Sequence, residues 1–245
     1  METPSITIHQ FPPFLQMQAS PFGLKLETWL RMKKIPYETE VSFTKMGPKN
    51  KVPFATINNE VIGDSELIID RIEKETGTAG SVAPAQVTNS NDILIRRMVE
   101  EHMYFVLMHS RWIDDDGWAV FQPLVFGHIP SIFRSIISRK IRKIVRRNLM
   151  AQGISRHSSS EIYAKGAIDI AALSGALGNK QYFMGKEPGL VDASAYGFLA
   201  NLLYAPLRSP LLAAVKKYPN LVAYGDRMRR EIWPNSPRGG GELIA

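Results

Sequence analysis

The feature that most constrains this chain is a strand entered through a proline and followed, ten residues later, by an abrupt helix start. The strand opens at Pro53, and the helix starts at Asp64 or Ser65. Proline lacks a backbone donor, so it costs least at the first residue of a strand. Asp64 or Ser65 can cap the helix, and the free amide groups of a helix N-terminus favour an anion. The pattern predicts a small sheet with a site for a carboxylate or phosphate at one end.

The first 78 residues alternate between strand and helix signals. The predicted strands lie at 6–10, 37–43, 52 and 60–62, and the predicted helices lie at 20–35 and 64–76. Ser20 precedes Pro21, and this pair is typical of an N-cap followed by the first helical residue. We therefore expect an α/β domain over 1–78 in which a crossover helix joins neighbouring strands.

The remainder of the chain reads as helical. Residues 79–91 are rich in glycine, serine, alanine, proline and asparagine, which favours a linker. Helical periodicity then extends over 92–233, and the glycine-rich segment 234–245 is predicted to be a flexible tail. The predicted helices of this half are 93–113, 131–152, 161–177, 191–204, 210–217 and 221–233. The fold class expected is thus an α/β N-terminal domain followed by an all-α helical bundle.

Composition excludes several classes of protein. The chain is 44% hydrophobic and 22% charged, which is ordinary for a globular protein. It shows no secretory signal and no apolar run long enough for a bilayer, so we expect a cytoplasmic protein. It has no cysteine, which excludes disulfides, thiolate metal sites and redox chemistry by its own thiols.

A basic helix is predicted over 134–147, where seven lysine and arginine residues crowd together. No acidic residue occurs between Asp116 and Glu161. The helix also carries an apolar stripe, formed by Phe133, Ile137, Ile141, Ile144 and Val145. Two interpretations follow: an interfacial helix on a membrane surface, or a helix whose stripe packs on the bundle while its basic face is solvated. We expect the second, and we expect no nucleic-acid binding, since aromatic residues are not interleaved with the charge.

The motifs together resemble a known family. The chain resembles the soluble glutathione transferases in the order of its motifs: Ser20-Pro21-Phe22, then the pair at 52–53, then Asp64-Ser65, and finally a helical half. The likeness is greatest for the branch that includes metaxins and the failed-axon-connections proteins. The stretches that carry it are 20–32, 47–54, 63–65, 100–102, 110–112, 192–197 and 218–221.

The resemblance implies a thioredoxin-like domain that binds glutathione as co-substrate, without a metal, and a helical domain that shapes a site for a small hydrophobic electrophile. It also implies a homodimer. The glutathione-binding residues it implies are Phe22, Lys49, Lys51, Val52, Pro53, Asp64 and Ser65. Pro53 would be cis, and the backbone of Val52 would pair with the cysteinyl part. Asp64 and Ser65 would hold the γ-glutamyl end, and the two lysines the glycyl carboxylate.

Ser20 is the residue that the resemblance implies for activating the glutathione thiol. A hydroxyl hydrogen bond at a helix N-terminus favours thiolate over thiol, whose ordinary pKa is about 8.5. Lowering that pKa by about two units requires roughly 3 kcal/mol of differential interaction. The alternative is that Ser20 is an N-cap and nothing more. The sequence departs from the branch at Gly23, where many relatives carry cysteine, which argues against cysteine-dependent thiol transfer.

Two functions remain open from the sequence. One is a glutathione transferase, attacking an electrophilic carbon or reducing a peroxide; the other is a non-catalytic adaptor of metaxin type, associated with membranes through the basic helix. Asp192, near the start of an apolar helix, is expected to be a structural cap. Glu100, Glu101 and His102 are expected to form a solvated helix face rather than a metal or acid–base cluster.

Overall fold

The computed structural model describes residues 4–77, 90–234 and 236–240. Its N-terminal part is a sheet of four strands in the order β2-β1-β3-β4. The elements are β1 (Ile6–Gln10), α1 (Pro21–Met32), β2 (Glu38–Val41), β3 (Phe54–Ile57), β4 (Glu60–Gly63) and α2 (Ser65–Thr76). β1 and β2 are parallel and joined by α1, whereas β3 is antiparallel to both β1 and β4. The predicted α/β unit with a crossover helix is confirmed.

The helical half begins at Ser90. Its helices are α3 (Ser90–Met98), α4 (Tyr104–Trp112), α5 (Asp115–Phe126), α6 (Ser131–Gln152), α7 (Ser159–Leu177), α8 (Leu190–Leu203), α9 (Pro210–Lys216) and α10 (Pro219–Ile232). The all-α second half is thereby confirmed. The predicted linker 79–91 lies almost wholly outside the described residues, as does half of the predicted tail 234–245. Within that tail, Gly239 and Gly240 are buried, and the Gly239 carbonyl accepts a hydrogen bond of 2.6 Å from the Tyr196 hydroxyl, so this stretch is packed.

α8 lies at the centre of the molecule, and all of its residues are buried. It packs against α1 across the boundary between the two halves. A Cβ on Gly197 would lie 2.5 Å from the Pro21 carbonyl oxygen, so only glycine allows the two backbones to approach this closely. Asp192 caps the helix by accepting a hydrogen bond of 2.8 Å from the Gly189 amide, as predicted.

The expectation of a solvated face at Glu100–His102 is wrong for Glu100, whereas Glu101 is exposed as expected. These residues lie in a π-helical turn, Val99–Met103, which joins α3 to α4 and rotates the register of the side chains. Glu100 is turned inward, where it forms a buried ion pair of 2.7 Å with Lys25 and accepts a hydrogen bond of 2.6 Å from the Ser194 hydroxyl. His102 is half-buried and paired with Asp169. The described residues hold no cluster of side chains that could bind a metal.

The predicted packing of the apolar stripe of α6 is wrong in part, although the predicted bounds of the helix are confirmed. Ser138 and Leu149 are its only buried residues. Of the predicted stripe, Ile141 and Val145 contact the bundle, whereas Phe133, Ile137 and Ile144 are exposed. The face of α6 that contacts the bundle also includes Ser138 and Arg142, since the small serine allows close approach and the arginine donates a hydrogen bond to the Trp112 carbonyl of α4.

Candidate functional site

Three segments meet at one end of the sheet. His9 pairs with Phe54, and Phe54 pairs with Gly63, so the C-terminal ends of β1 and β4 flank the N-terminal end of β3. The loop that follows β1 ends at Ser20, and α2 starts directly after β4. The register therefore brings the start of α1, the residues before β3 and the start of α2 to the same end of the sheet, as the sequence predicts.

Ser20 is the N-cap of α1 and is half-buried. Its Oγ accepts a hydrogen bond of 3.2 Å from the Gly23 amide. Within the described chain this hydroxyl donates to no acceptor, so its proton is available to a ligand. The Ser20 amide donates to Gln18 Oε1 at 3.0 Å. The Phe22 amide bonds to no described residue, while the Phe22 ring packs on Tyr104 of the helical half, so only its backbone faces the site.

The loop before Ser20 is held by side chains of the helical half. Arg111 Nη1 donates to the Ala19 carbonyl at 3.0 Å, and Asn201 Nδ2 donates to the Gln18 carbonyl at 3.3 Å. Arg111 Nη2 in turn donates to Asn201 Oδ1 at 2.8 Å. Burial lowers the pKa of Arg111 to about 9, and no described carboxylate is paired with it. The burial of Arg111 was not predicted, because a lone arginine in a helix usually reaches solvent.

The residues before β3 are open to a ligand. The Val52–Pro53 peptide bond is cis, as the resemblance implies. β3 starts at Phe54 rather than at Val52, since proline cannot donate to the ladder. The amide and carbonyl of Val52 bond to no described residue, so both groups are free to pair with an extended peptide. Lys51 is exposed beside them.

The start of α2 carries an unusual backbone. Asp64 has φ of 86°, a sparsely populated conformation for a residue other than glycine. Its Oδ1 accepts hydrogen bonds of 3.0 and 3.4 Å from the Glu66 and Leu67 amides, which leaves Oδ2 for a ligand. Ser65 is buried at the first helical position. Lys49 is near this point, since a Cβ on Gly63 would lie 3.6 Å from Lys49 Cγ.

Gly23 faces a filled space. A Cβ at this position would lie 2.5 Å from Gln10 Oε1 and 3.2 Å from Gln18 Cδ. The Gln10 amide nitrogen is itself held by Glu27 Oε1 at 2.6 Å. A cysteine at position 23 would therefore require both glutamines to move.

An aromatic wall adjoins the Ser20 loop, and the sequence did not predict it as a unit. Phe14 of that loop stacks on Phe43 at 5.8 Å between ring centroids, and Phe43 stacks on His128 at 4.1 Å. Phe121 of α5 meets Phe14 at 6.0 Å, edge to face, and Trp112 meets Phe121 at 5.1 Å. Phe14 and Phe43 are half-buried, so the wall presents apolar surface between the two halves.

Comparison with known proteins identifies both halves of the chain. The model of the glutathione S-transferase N-terminal domain matches residues 21–117, and the model of the C-terminal domain matches residues 166–228. The failed axon connections protein of Drosophila melanogaster is 30% identical over 234 residues, covering 88% of this chain and 55% of that protein. The chain thus spans about half the length of this relative.

Two further relatives match over most of their own length. The isoprene-epoxide glutathione S-transferase of Rhodococcus sp. (strain AD45) is 25% identical, covering 92% of this chain and 98% of that protein. Human metaxin-2 is 24% identical, covering 90% of this chain and 84% of that protein.

Solved structures agree in fold. The β-etherase LigF from Sphingobium sp. strain SYK-6 aligns with a TM-score of 0.62 at 17% identity, covering 92% of this chain and 95% of that one. A rice glutathione transferase in complex with glutathione aligns with a TM-score of 0.61 at 14% identity, covering 97% and 93%. The family models, the relatives and the fold point the same way: the chain belongs to the glutathione S-transferase superfamily, close to the branch of metaxins and failed axon connections.

Proposed function

We propose that this protein binds glutathione along the open edge before β3 and activates its thiol for attack on a small hydrophobic electrophile. The observation that carries the proposal is the meeting of three groups at one end of the sheet. They are the Ser20 hydroxyl, whose proton is donated to no described acceptor, the unpaired backbone of Val52 and the capped helix start at Asp64. A tripeptide with an anionic group at each end fits such an arrangement, because helix N-termini and lysine side chains both favour carboxylates.

In this site the γ-glutamyl carboxylate lies at the start of α2, and its ammonium group faces Asp64. The cysteinyl backbone pairs with Val52, and Lys49 and Lys51 hold the glycyl carboxylate. Phe22 contributes its backbone amide at the start of α1. The sulfur then lies beside Ser20, whose hydroxyl donates a hydrogen bond to the thiolate.

The reaction is the addition of the thiolate to an electrophilic carbon. The sulfur forms a bond to that carbon, and the electron pair of the broken bond leaves on a halide or on an epoxide oxygen that takes a proton from solvent. The aromatic wall beside the Ser20 loop supports a hydrophobic electrophile. The name of the Rhodococcus relative supports an epoxide as one class of substrate. A peroxide can replace the carbon electrophile, with sulfur attacking oxygen and a second glutathione completing the reduction.

The test compares two serines that cap helices in the same way. Ser209 precedes Pro210, and its Oγ accepts a hydrogen bond of 3.2 Å from the Leu212 amide, the same length as at Ser20. Both Ser20→Ala and Ser209→Ala therefore lose one helix cap. We expect only Ser20→Ala to raise the pKa of bound glutathione, by about two units, and to lower the rate with an aryl halide about a hundredfold at neutral pH.

The readouts are the ultraviolet absorbance of the thiolate against pH and the calorimetric affinity for glutathione. Equal effects of the two substitutions would reduce Ser20 to a helix cap. Absence of glutathione binding at millimolar concentration would remove the proposal altogether.

A second candidate is a glutathione-binding adaptor without catalysis. It is favoured by the similarity to metaxin-2 and by Gly23, at which Gln10 fills the space for a side chain. An adaptor would bind glutathione with no thiol consumption, and Ser20→Ala would leave the binding and the thiol pKa unchanged. The homodimer implied by the resemblance also stays a prediction, and sedimentation velocity at micromolar concentration checks it.

A further inference from the structure

α6 presents an outer face that no other part of the described chain covers. Its outward side chains follow one line along the helix, at spacings of three and four residues, in the order Ile132, Ile136, Lys140, Lys143 and Arg147. Ile132 is 73% exposed and Ile136 is 62% exposed. Phe133, beside this line, is 56% exposed. We define the outer face of α6 by these residues together with Arg146, which is also exposed.

The outer face divides into two zones along the helix. The first two turns carry the isoleucines and Phe133, and the following turns carry the lysines and arginines. The four cations at 140, 143, 146 and 147 form no ion pair with another described residue. Other arginines of α6 are engaged by the protein itself: Arg134 donates to the Ile129 carbonyl, and Arg142 donates to Trp112 and Ile113 carbonyls and to Asp115. Lys140, Lys143 and Arg147 therefore carry free charge on the side that faces away from the bundle, whereas Arg146 lies at the flank of this side, where its charge also acts on Asp115.

Membership of the superfamily does not explain this face. The two family models match residues 21–117 and 166–228, and α6 lies between them. The site at the sheet end does not use it either, since the catalytic and binding groups proposed above belong to residues 20–65.

We propose that the outer face of α6 docks on the surface of an anionic lipid bilayer. Interfacial helices insert exposed apolar side chains among the acyl chains and bind anionic headgroups through neighbouring cations. The outer face of α6 has both kinds of side chain. The N-terminus of α6 supports the same orientation, because its partial positive charge lies at the apolar end and favours phosphate. No described helix is long and apolar enough to cross a bilayer.

A second copy of this chain is a poorer occupant. A two-fold interface buries the same patch of both copies, and α6 has no carboxylate, so the cations of both copies would be buried without a counter-charge. Nucleic acid would use the cations but would leave three large apolar side chains exposed to water or to phosphate. A bilayer satisfies both zones at once.

The test is flotation of the full chain with phosphatidylcholine vesicles that contain either no anionic lipid or about 30% phosphatidylserine. We expect binding to the anionic vesicles and its loss as salt is raised. Changing Lys140, Lys143, Arg146 and Arg147 to glutamine should weaken binding more than a hundredfold, since each cation near such a surface contributes about fivefold. Changing Ile132, Phe133 and Ile136 to serine should weaken it at least tenfold without altering the net charge.

A matched control removes the same charge elsewhere. Lys33, Lys34, Lys186 and Lys217 are exposed, and their change to glutamine lowers the net charge by the same amount. The control variant should bind vesicles within a fewfold of the unaltered protein. The proposal would be overturned if the two charge variants lost the same amount of vesicle binding. It would also be overturned if the apolar substitutions left vesicle binding unchanged. If the protein does not float with the vesicles, and instead binds duplex DNA or forms a dimer through α6, the outer face has another occupant and the proposal is overturned. All variants are checked for an unchanged circular dichroism spectrum and melting temperature.

Discussion

α8 and α6 are both rich in apolar residues, yet the structure uses them in opposite ways. α8 buries all of its residues, from Leu190 to Leu203, whereas α6 buries Ser138 and Leu149 out of its 22 residues. The polar side chains of α8 also have defined partners: Ser194 bonds to Glu100, and Asn201 bonds to the loop before Ser20. The isoleucines of the outer face of α6 have no described partner.

The difference shows that apolar content does not decide what a helix packs against. α8 lacks charged residues apart from Asp192, so its only stable place is inside the molecule. α6 has cations on most sides, so the bundle accepts just one narrow face of it. The central helix thus positions the site, and the peripheral helix provides a surface.

The largest effect is expected at the buried ion pair next to α8. Glu100→Ala leaves the Lys25 ammonium buried without a partner, which should lower the free energy of unfolding by about 3–5 kcal/mol. Glu101→Ala, at the exposed neighbouring position, should change it by less than about 0.5 kcal/mol. Urea unfolding followed by circular dichroism measures both. If the two substitutions lower the free energy of unfolding by the same amount, Glu100 is not held inward by the π-helical turn.

Asn201→Ala should produce the next largest effect. It removes an acceptor from the buried Arg111 and a donor from the Gln18 carbonyl, which should cost about 1–3 kcal/mol of unfolding free energy. The Ser20 loop should loosen as well, seen as faster hydrogen exchange over residues 18–24. Asn148→Ala on exposed α6 is the control and should leave both quantities unchanged. Unaltered exchange at the loop would mean that α8 does not position it.

Arg142→Gln tests the single face that joins α6 to the bundle. The guanidinium donates hydrogen bonds of 2.7 and 2.8 Å to the carbonyls that end α4, so its loss should cost about 1–2 kcal/mol. Lys143→Gln, one residue further and outward, should be neutral within about 0.5 kcal/mol. Thermal melting of the two variants gives the comparison. A neutral Arg142→Gln would show that α6 is held by other contacts.

Ile136→Ser should have the smallest effect. The side chain is 62% exposed, so its replacement should change the unfolding free energy by less than about 0.5 kcal/mol. Leu149→Ala, at a position 3% exposed on the same helix, should instead cost about 2–4 kcal/mol. A large cost at Ile136 would show that the outer face is covered in solution.

The sequence predicted the ends of α6 correctly because Pro130 and Gly153 bracket it, and such residues act locally. It did not predict which face of α6 meets the bundle, since that depends on the shape of the neighbouring surface. The inward turn of Glu100 was missed because a π-helical turn shifts every later side chain, and no composition signal marks it. Arg111 was missed for a similar reason: its two partners, the Ala19 carbonyl and Asn201, lie far from it and from each other in sequence. The cap at Ser20 and the succession of strands and helices along the first domain, by contrast, follow from neighbouring residues and were predicted.

The absence of a side chain at Gly197 has a consequence for how a ligand enters. The backbones of α1 and α8 touch at this glycine, and the buried ion pair of Lys25 and Glu100 also joins the two halves. Separation of the two halves would break both contacts, so a ligand does not enter by an opening between them. Entry to the proposed glutathione site would then involve the segment between β2 and β3, in which Phe43 is half-buried and Lys51 is exposed. A cross-link between the two halves should therefore leave glutathione binding at the proposed site unaffected.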